Sequence, residues 1–133
     1  MCPIGTALGH EDDVALEVIY KQIDDKDVVL VKSPTIWDIM SLIKNARLYV
    51  GTSLHGVITA MSFGIPFVGV EVKKIRTYLE TWTPETSKLL FCKIDQISKR
   101  TITALEIGPV NADKQKESVK NSFEKMRKMI SML

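Results

Sequence analysis

Apolar and polar positions along this chain switch repeatedly between a helical and a strand period. In residues 11–24, Val14, Leu16, Val18, Ile19 and Ile23 form a broad apolar helical face. Glu11, Asp12 and Asp13 crowd its first turn, where negative charge complements the helix dipole. The β-branched run from Asp27 to Lys32 predicts a short strand buried on both faces. Ser33-Pro34 predicts the start of a second helix, with Ser33 as cap and Pro34 in the first helical position. Ile36, Ile39, Met40 and Ile43 supply its stripe, and Asn45-Ala46 its end. Arg47 to Gly51 reads as another strand. A third helix follows from Leu54 to about Phe63, apolar on nearly every side and therefore buried. Gly64 suits a left-handed stop, with Pro66 just beyond. Residues 66–72 predict a further buried strand, 73–82 a helix, and 88–94 a last strand. Residues 99–110 read as loop. The final helix, 111–132, places Val119, Phe123, Met126 and Ile130 on one stripe.

Strand–helix alternation with short connections implies a parallel sheet covered on both faces. The expected fold is a Rossmann-like three-layer α/β/α sandwich with a sheet of about four to five strands. Cys2 to Gly5 reads as the tail of an earlier strand. At 133 residues the chain has the length of one domain, and 45% hydrophobic with 26% charged residues excludes a disordered or fibrous chain. One domain spanning 1–133, with 111–133 as its terminal amphipathic helix, is the expected organisation.

Charge changes this picture little. A net charge of +2 gives no reason to expect a nucleic-acid partner. Cys2 and Cys92 lack metal-site or redox-motif spacing and are expected as free thiols. No cofactor and no metal site is expected, since His10, Asp12 and Asp13 have no ligand-like spacing and the acids already serve the helix dipole. The first residues lack a basic and then apolar leader pattern. The apolar stretch from Leu54 to Val72 is broken by His55, Pro66 and Glu71, so it is no membrane span. A soluble cytoplasmic protein is expected. In the last helix Lys114, Lys116, Lys120, Lys125, Arg127 and Lys128 outnumber Asp113, Glu117 and Glu124. A solvated face is the ordinary reading, and peripheral attraction to anionic lipid at the inner membrane face is the alternative.

Ligands of such folds sit beyond the carboxyl ends of the strands. That rule selects Gly5 to Asp13, Ser33-Pro34, Gly51 to Gly56, and Glu71 to Arg76. The third is the most informative. Gly51-Thr52-Ser53-Leu54-His55-Gly56 gathers two glycines, two hydroxyls and an imidazole at one helix start. Backbone N–H groups there attract anions, and glycine admits a phosphate or sugar close to the chain. His55 is the candidate acid–base group. The plain alternative is a helix capped by Thr52 or Ser53, with the histidine in a polar pocket. Lys73, Lys74 and Arg76 cluster after the next strand, an unfavourable place for cations unless an anion offsets them. His10 is a weaker candidate for the same cleft. Trp82 reads as a core or interface aromatic.

The string from Ile43 to Val70, carrying Gly51-Thr52-Ser53-Leu54-His55-Gly56 and then Gly64-Ile65-Pro66, resembles the polysaccharide pyruvyl transferase family in order and spacing. Lys74-Ile75-Arg76-Thr77-Tyr78-Leu79-Glu80 resembles that family's segment after the following strand. The likeness covers about residues 3–80. It implies the C-terminal, donor-side half of a GT-B-like enzyme, with the site in a cleft between two Rossmann-type domains. It also implies transfer of the enolpyruvyl unit of phosphoenolpyruvate, or another phosphate-bearing donor, to a sugar of a cell-surface polysaccharide. His55 would then be the family histidine and general acid, and Lys74 the lysine beside the donor's charge. Gly51, Thr52, Ser53, Gly56, Arg76 and His10 are the further expected binding residues. Many members carry arginine where this chain has Ser53, so the cation must come from Lys73, Arg76 or a missing domain. The partner across the cleft would be an N-terminal domain or a second copy, and the isolated half would be inactive. Glycosyltransferases and nucleotide-sugar enzymes of the GT-B fold share a similar strand–glycine–helix arrangement and remain the alternative, as does a non-catalytic anion- or sugar-binding remnant.

Overall fold

The computed structural model describes residues 1–5, 11–110 and 112–131. Its contacts divide the chain into two compact units, Met1–Asn45 and Ala46–Leu133.

In the first unit, helix α1 spans Asp12–Tyr20 and α2 spans Ile36–Lys44. Asp12 ties α1 to the N-terminal segment. Its carboxylate accepts from the Gly5 N–H at 2.8 Å, and its own N–H donates to the Gly5 carbonyl at 3.0 Å. One of the acids read as a dipole partner therefore also anchors the chain. The apolar face of α1 is not buried: Val14 and Val18 are 59% and 53% exposed.

The strand expected over Asp27–Lys32 does not form a ladder among the described residues. The segment is extended, and Val31 N–H donates to the Met1 carbonyl at 2.9 Å while the Met1 amino group donates to the Val29 carbonyl. That is the bonding of one parallel bridge, with Met1 opposite Leu30. A single bridge with no sheet around it leaves Val29 exposed, so the run is not buried on both faces.

The cap of α2 also differs from expectation. Thr35 is the N-cap, and Pro34 lies outside the helix. Thr35 and Asp38 form a reciprocal capping box: the Asp38 N–H donates to the Thr35 hydroxyl, and the Thr35 N–H donates to the Asp38 carboxylate at 2.8 Å. Thr-x-x-Asp satisfies two donors where Ser33 could satisfy one, and Ser33 instead takes a left-handed turn at φ 47°. Hydrogen bonds from the Thr35 hydroxyl and N–H hold the Asp38 carboxyl below its ordinary range.

The second unit holds the sheet. Strand β1 spans Tyr49–Gly51, β2 Phe67–Val70 and β3 Phe91–Cys92, parallel and in the order β1-β2-β3. The sheet thus has three strands rather than the larger number expected, because the first unit's extended segments contribute none among the described residues. Helix α3 spans Leu54–Phe63 and ends at Gly64 with φ 68°, as the spacing predicts. Helix α4 spans Lys73–Trp82, α5 Ser87–Leu90, α6 Ile97–Ile107 and α7 Ala112–Ile130. The loop expected over 99–110 is therefore mostly helix α6. Thr101, Ile102 and Thr103 are weak helix formers, but α6 packs on β2 and β3 and fully buries Ala104.

All four residues of β2 are buried. Two right-handed crossovers in the same direction put α3 and α4 on one face of the sheet, and α6 packs on β2 and β3. At Gly69 a side chain would run into the Ile75 branch methyl, with the Ile75 Cβ only 3.7 Å away. The bare glycine lets α4 settle directly on β2. Cys2 and Cys92 are free thiols, as expected. Burial raises the Cys92 thiol pKa, against the opposing pull of Arg100.

Two outcomes follow. Gly69→Ala should destabilise the second unit by about 1–3 kcal/mol in denaturant unfolding, and by less in an Ile75→Leu background that lacks the branch methyl. Because Asp38 titrates low in the folded state, its contribution to the α2 cap persists at neutral pH and is lost as pH falls through that depressed value. Thr35→Ala should move the Asp38 titration upward in a carboxyl-carbon NMR experiment.

Candidate functional site

The β1–α3 turn is built from three local decisions. β1 ends at Gly51, where an added Cβ would sit 2.8 Å from Tyr49 Cζ and in contact with the Tyr49 hydroxyl. Residues 49 and 51 share one strand face, so the missing side chain lets the phenol fold over the strand end. Thr52 is exposed, and Ser53 is extended at φ −88°, the conformation of an N-cap. The Ser53 hydroxyl accepts from the Gly56 N–H at 3.4 Å, and the Ser53 carbonyl accepts the first intrahelical bond from Val57. The next turn of α3 is buried through Gly56, Val57 and Ala60. His55 faces outward and is exposed. The N–H groups of Leu54 and His55, in the first helical turn, have no intrahelical acceptor.

The β2–α4 turn stands beside it. Gly51 pairs with Gly69 across the parallel ladder, so the carboxyl ends of β1 and β2 lie on one sheet edge. Helices α3 and α4 touch each other. Glu71 turns the chain there at φ 52°. Its N–H donates to the Cys92 carbonyl at 3.0 Å, and its carboxylate accepts from the Ile94 N–H at 3.4 Å. Lys73 and Lys74 follow, exposed and without an ion pair among the described residues. Arg76 differs: its Nε lies 2.9 Å from Glu80 Oε1 on the same helix. That pair is solvent-exposed and worth little in stability, but it turns the guanidinium along α4. Trp82 is half-buried beside Tyr78, with ring centroids 6.1 Å apart.

The structure therefore brings Gly51, Thr52, Ser53, His55 and Gly56 into one turn and sets Lys74 at the adjacent one. It occupies Ser53 as a cap and Arg76 with Glu80. His10 lies outside the described residues. Within the first unit, Asp13 and Glu17 of α1 share an open cavity of about 150 Å³ with Pro3, Lys32 and Ser33. Two residues that shape the main site were read from sequence only as parts of longer segments. Tyr49 had a readable signal, an aromatic two positions before a strand-ending glycine. Glu71 had none, because a left-handed glutamate is not written in residue type.

The carboxyl ends of β1 and β2 thus form an open α/β edge that presents helix N–H groups, a histidine and adjacent lysines. The chain belongs to the polysaccharide pyruvyl transferase family, whose model matches residues 2–74, more than half its length. The match takes in the β1–α3 turn and Lys74 and stops short of Arg76. No curated protein and no solved structure matches the chain.

Ser53→Ala should cost about 0.5–1 kcal/mol in unfolding free energy, the lower part of the N-cap range, since its capping bond is long. Ser53→Asp should recover that loss.

Proposed function

We propose that this chain is the donor-side domain of a pyruvyl transferase that uses phosphoenolpyruvate and a sugar of a cell-surface polysaccharide. The observation that carries the reading is the shared edge of β1 and β2, with His55 at one helix start and Lys73 and Lys74 at the next. Phosphoenolpyruvate carries a phosphate and a carboxylate, and two neighbouring helix N-termini plus two unpaired lysines suit two anionic groups.

In this reading His55 acts as the general acid. Protonation of the donor's methylene carbon makes its C2 electrophilic, one sugar hydroxyl adds there and returns its proton to His55, and the C2–O bond to phosphate breaks as phosphate leaves. A second hydroxyl then adds to C2 with loss of a proton, closing a ketal. Lys74 holds the donor's negative charge. With Ser53 in place of an arginine, and Arg76 engaged by Glu80, the local cations are Lys73 and Lys74. A second Rossmann-type domain, in the manner of a GT-B fold, or another copy of the chain would carry the acceptor. The isolated domain would bind donor without turnover.

The experiment is an amide-resolved NMR titration of the chain with phosphoenolpyruvate, followed by activity of the complete protein. Signals of Thr52 to Gly56 should shift with phosphoenolpyruvate, and Lys74→Ala should weaken binding about tenfold, the scale of one charge-assisted contact. His55→Ala should leave the fold intact and abolish ketal formation. Unmoved signals at millimolar donor would remove the donor assignment, and ketal formation by His55→Ala would remove the acid. A nucleotide diphosphate that outcompetes phosphoenolpyruvate would instead point to a glycosyltransferase.

A further inference from the structure

Helix α7 contacts α3, yet every position from Lys120 to Ser131 is exposed. Phe123, Met126, Met129 and Ile130 are 67%, 52%, 62% and 69% exposed. Single apolar residues on a surface need no explanation, but four on one helix do. At about 100° per residue, they fall within one arc of about 120°. The charges around that arc are ordered. Lys120 and Arg127 border one edge, Lys125 borders the other, and Glu117, Glu124 and Lys128 lie near the opposite pole.

We infer that this face of α7 lies in the surface of an anionic phospholipid bilayer, with the helix axis in the membrane plane. Cations on both borders of an apolar arc can lay their stems along it and place their heads among lipid phosphates. The acids meanwhile point to water. The same ordering argues against a second copy as the occupant. A helix–helix seam pairs opposite charges along its flanks, whereas two copies of this face would bring cation against cation: Lys120 or Arg127 against Lys125 if parallel, and each border against itself if antiparallel. No described helix is long and apolar enough to cross a membrane, so the contact is a surface one. It would hold the sheet edge near a membrane, and it does not depend on the donor assigned to His55.

The test is sedimentation of the 133-residue chain with vesicles of phosphatidylcholine, with and without phosphatidylglycerol. Binding to the anionic vesicles should exceed binding to neutral ones by about tenfold or more and weaken with salt. The pair Lys120→Gln and Arg127→Gln should lower anionic binding on the order of tenfold and leave neutral binding unchanged. The pair Phe123→Ser and Ile130→Ser should reduce binding to both, with far-ultraviolet circular dichroism reporting an unchanged fold. Equal binding to the two vesicle types, or full binding by the serine pair, would overturn the inference. So would a concentration-dependent dimer, seen in sedimentation velocity, that the serine pair dissolves.

Discussion

The approach of Ile75 to the bare backbone of Gly69 is the contact on which the second unit turns. It sets how close α4 sits to β2, and β2 is the strand that joins the other two. Once α4 is seated there, its first turn must start at the carboxyl end of β2. Parallel pairing of Gly51 with Gly69 puts the start of α3 at the same edge. The neighbourhood of the β1–α3 and β2–α4 turns is thus a consequence of sheet pairing.

The turns that lead into the helices are made in two ways. Before α1, α2 and α4 the chain bends through a non-glycine residue with positive φ: Glu11 at 35°, Ser33 at 47° and Glu71 at 52°. Such residues cost on the order of 1 kcal/mol each and persist only where neighbours hold them. For Glu71 the holders are the Cys92 carbonyl and the Ile94 N–H. The β1–α3 turn stores no such strain. It relies on Gly51 and on Ser53 in an ordinary extended conformation, which leaves Leu54 and His55 free to offer their N–H groups. The turn proposed to hold the donor is one without a positive-φ residue.

Much of this was legible from residue order. The helix Leu54–Phe63, its glycine stop at Gly64, the strand Phe67–Val70 and the helix Lys73–Trp82 all follow from local pattern, and so does the turn carrying His55. Illegible elements share a cause. Ile97–Ile107 looks like loop because Thr101, Ile102 and Thr103 favour strands, and only the burial of Ala104 against the sheet overrides them. Asp27–Lys32 looks like a buried strand because β-branched residues are written there, yet a strand needs partners that the local sequence does not name. At the site, Tyr49 over Gly51 was readable in principle, whereas the capture of Arg76 by Glu80 depended on a rotamer choice.

The sequence by itself determined the family, the alternation of strand and helix, and the set of residues at the β1–α3 turn. Those are local properties: periodicity, caps and glycine placement act within a few residues of each other. Tertiary structure decided which strands share a ladder and which helix face stays in water. These depend on contacts between residues far apart in sequence, and there packing outweighs intrinsic preference.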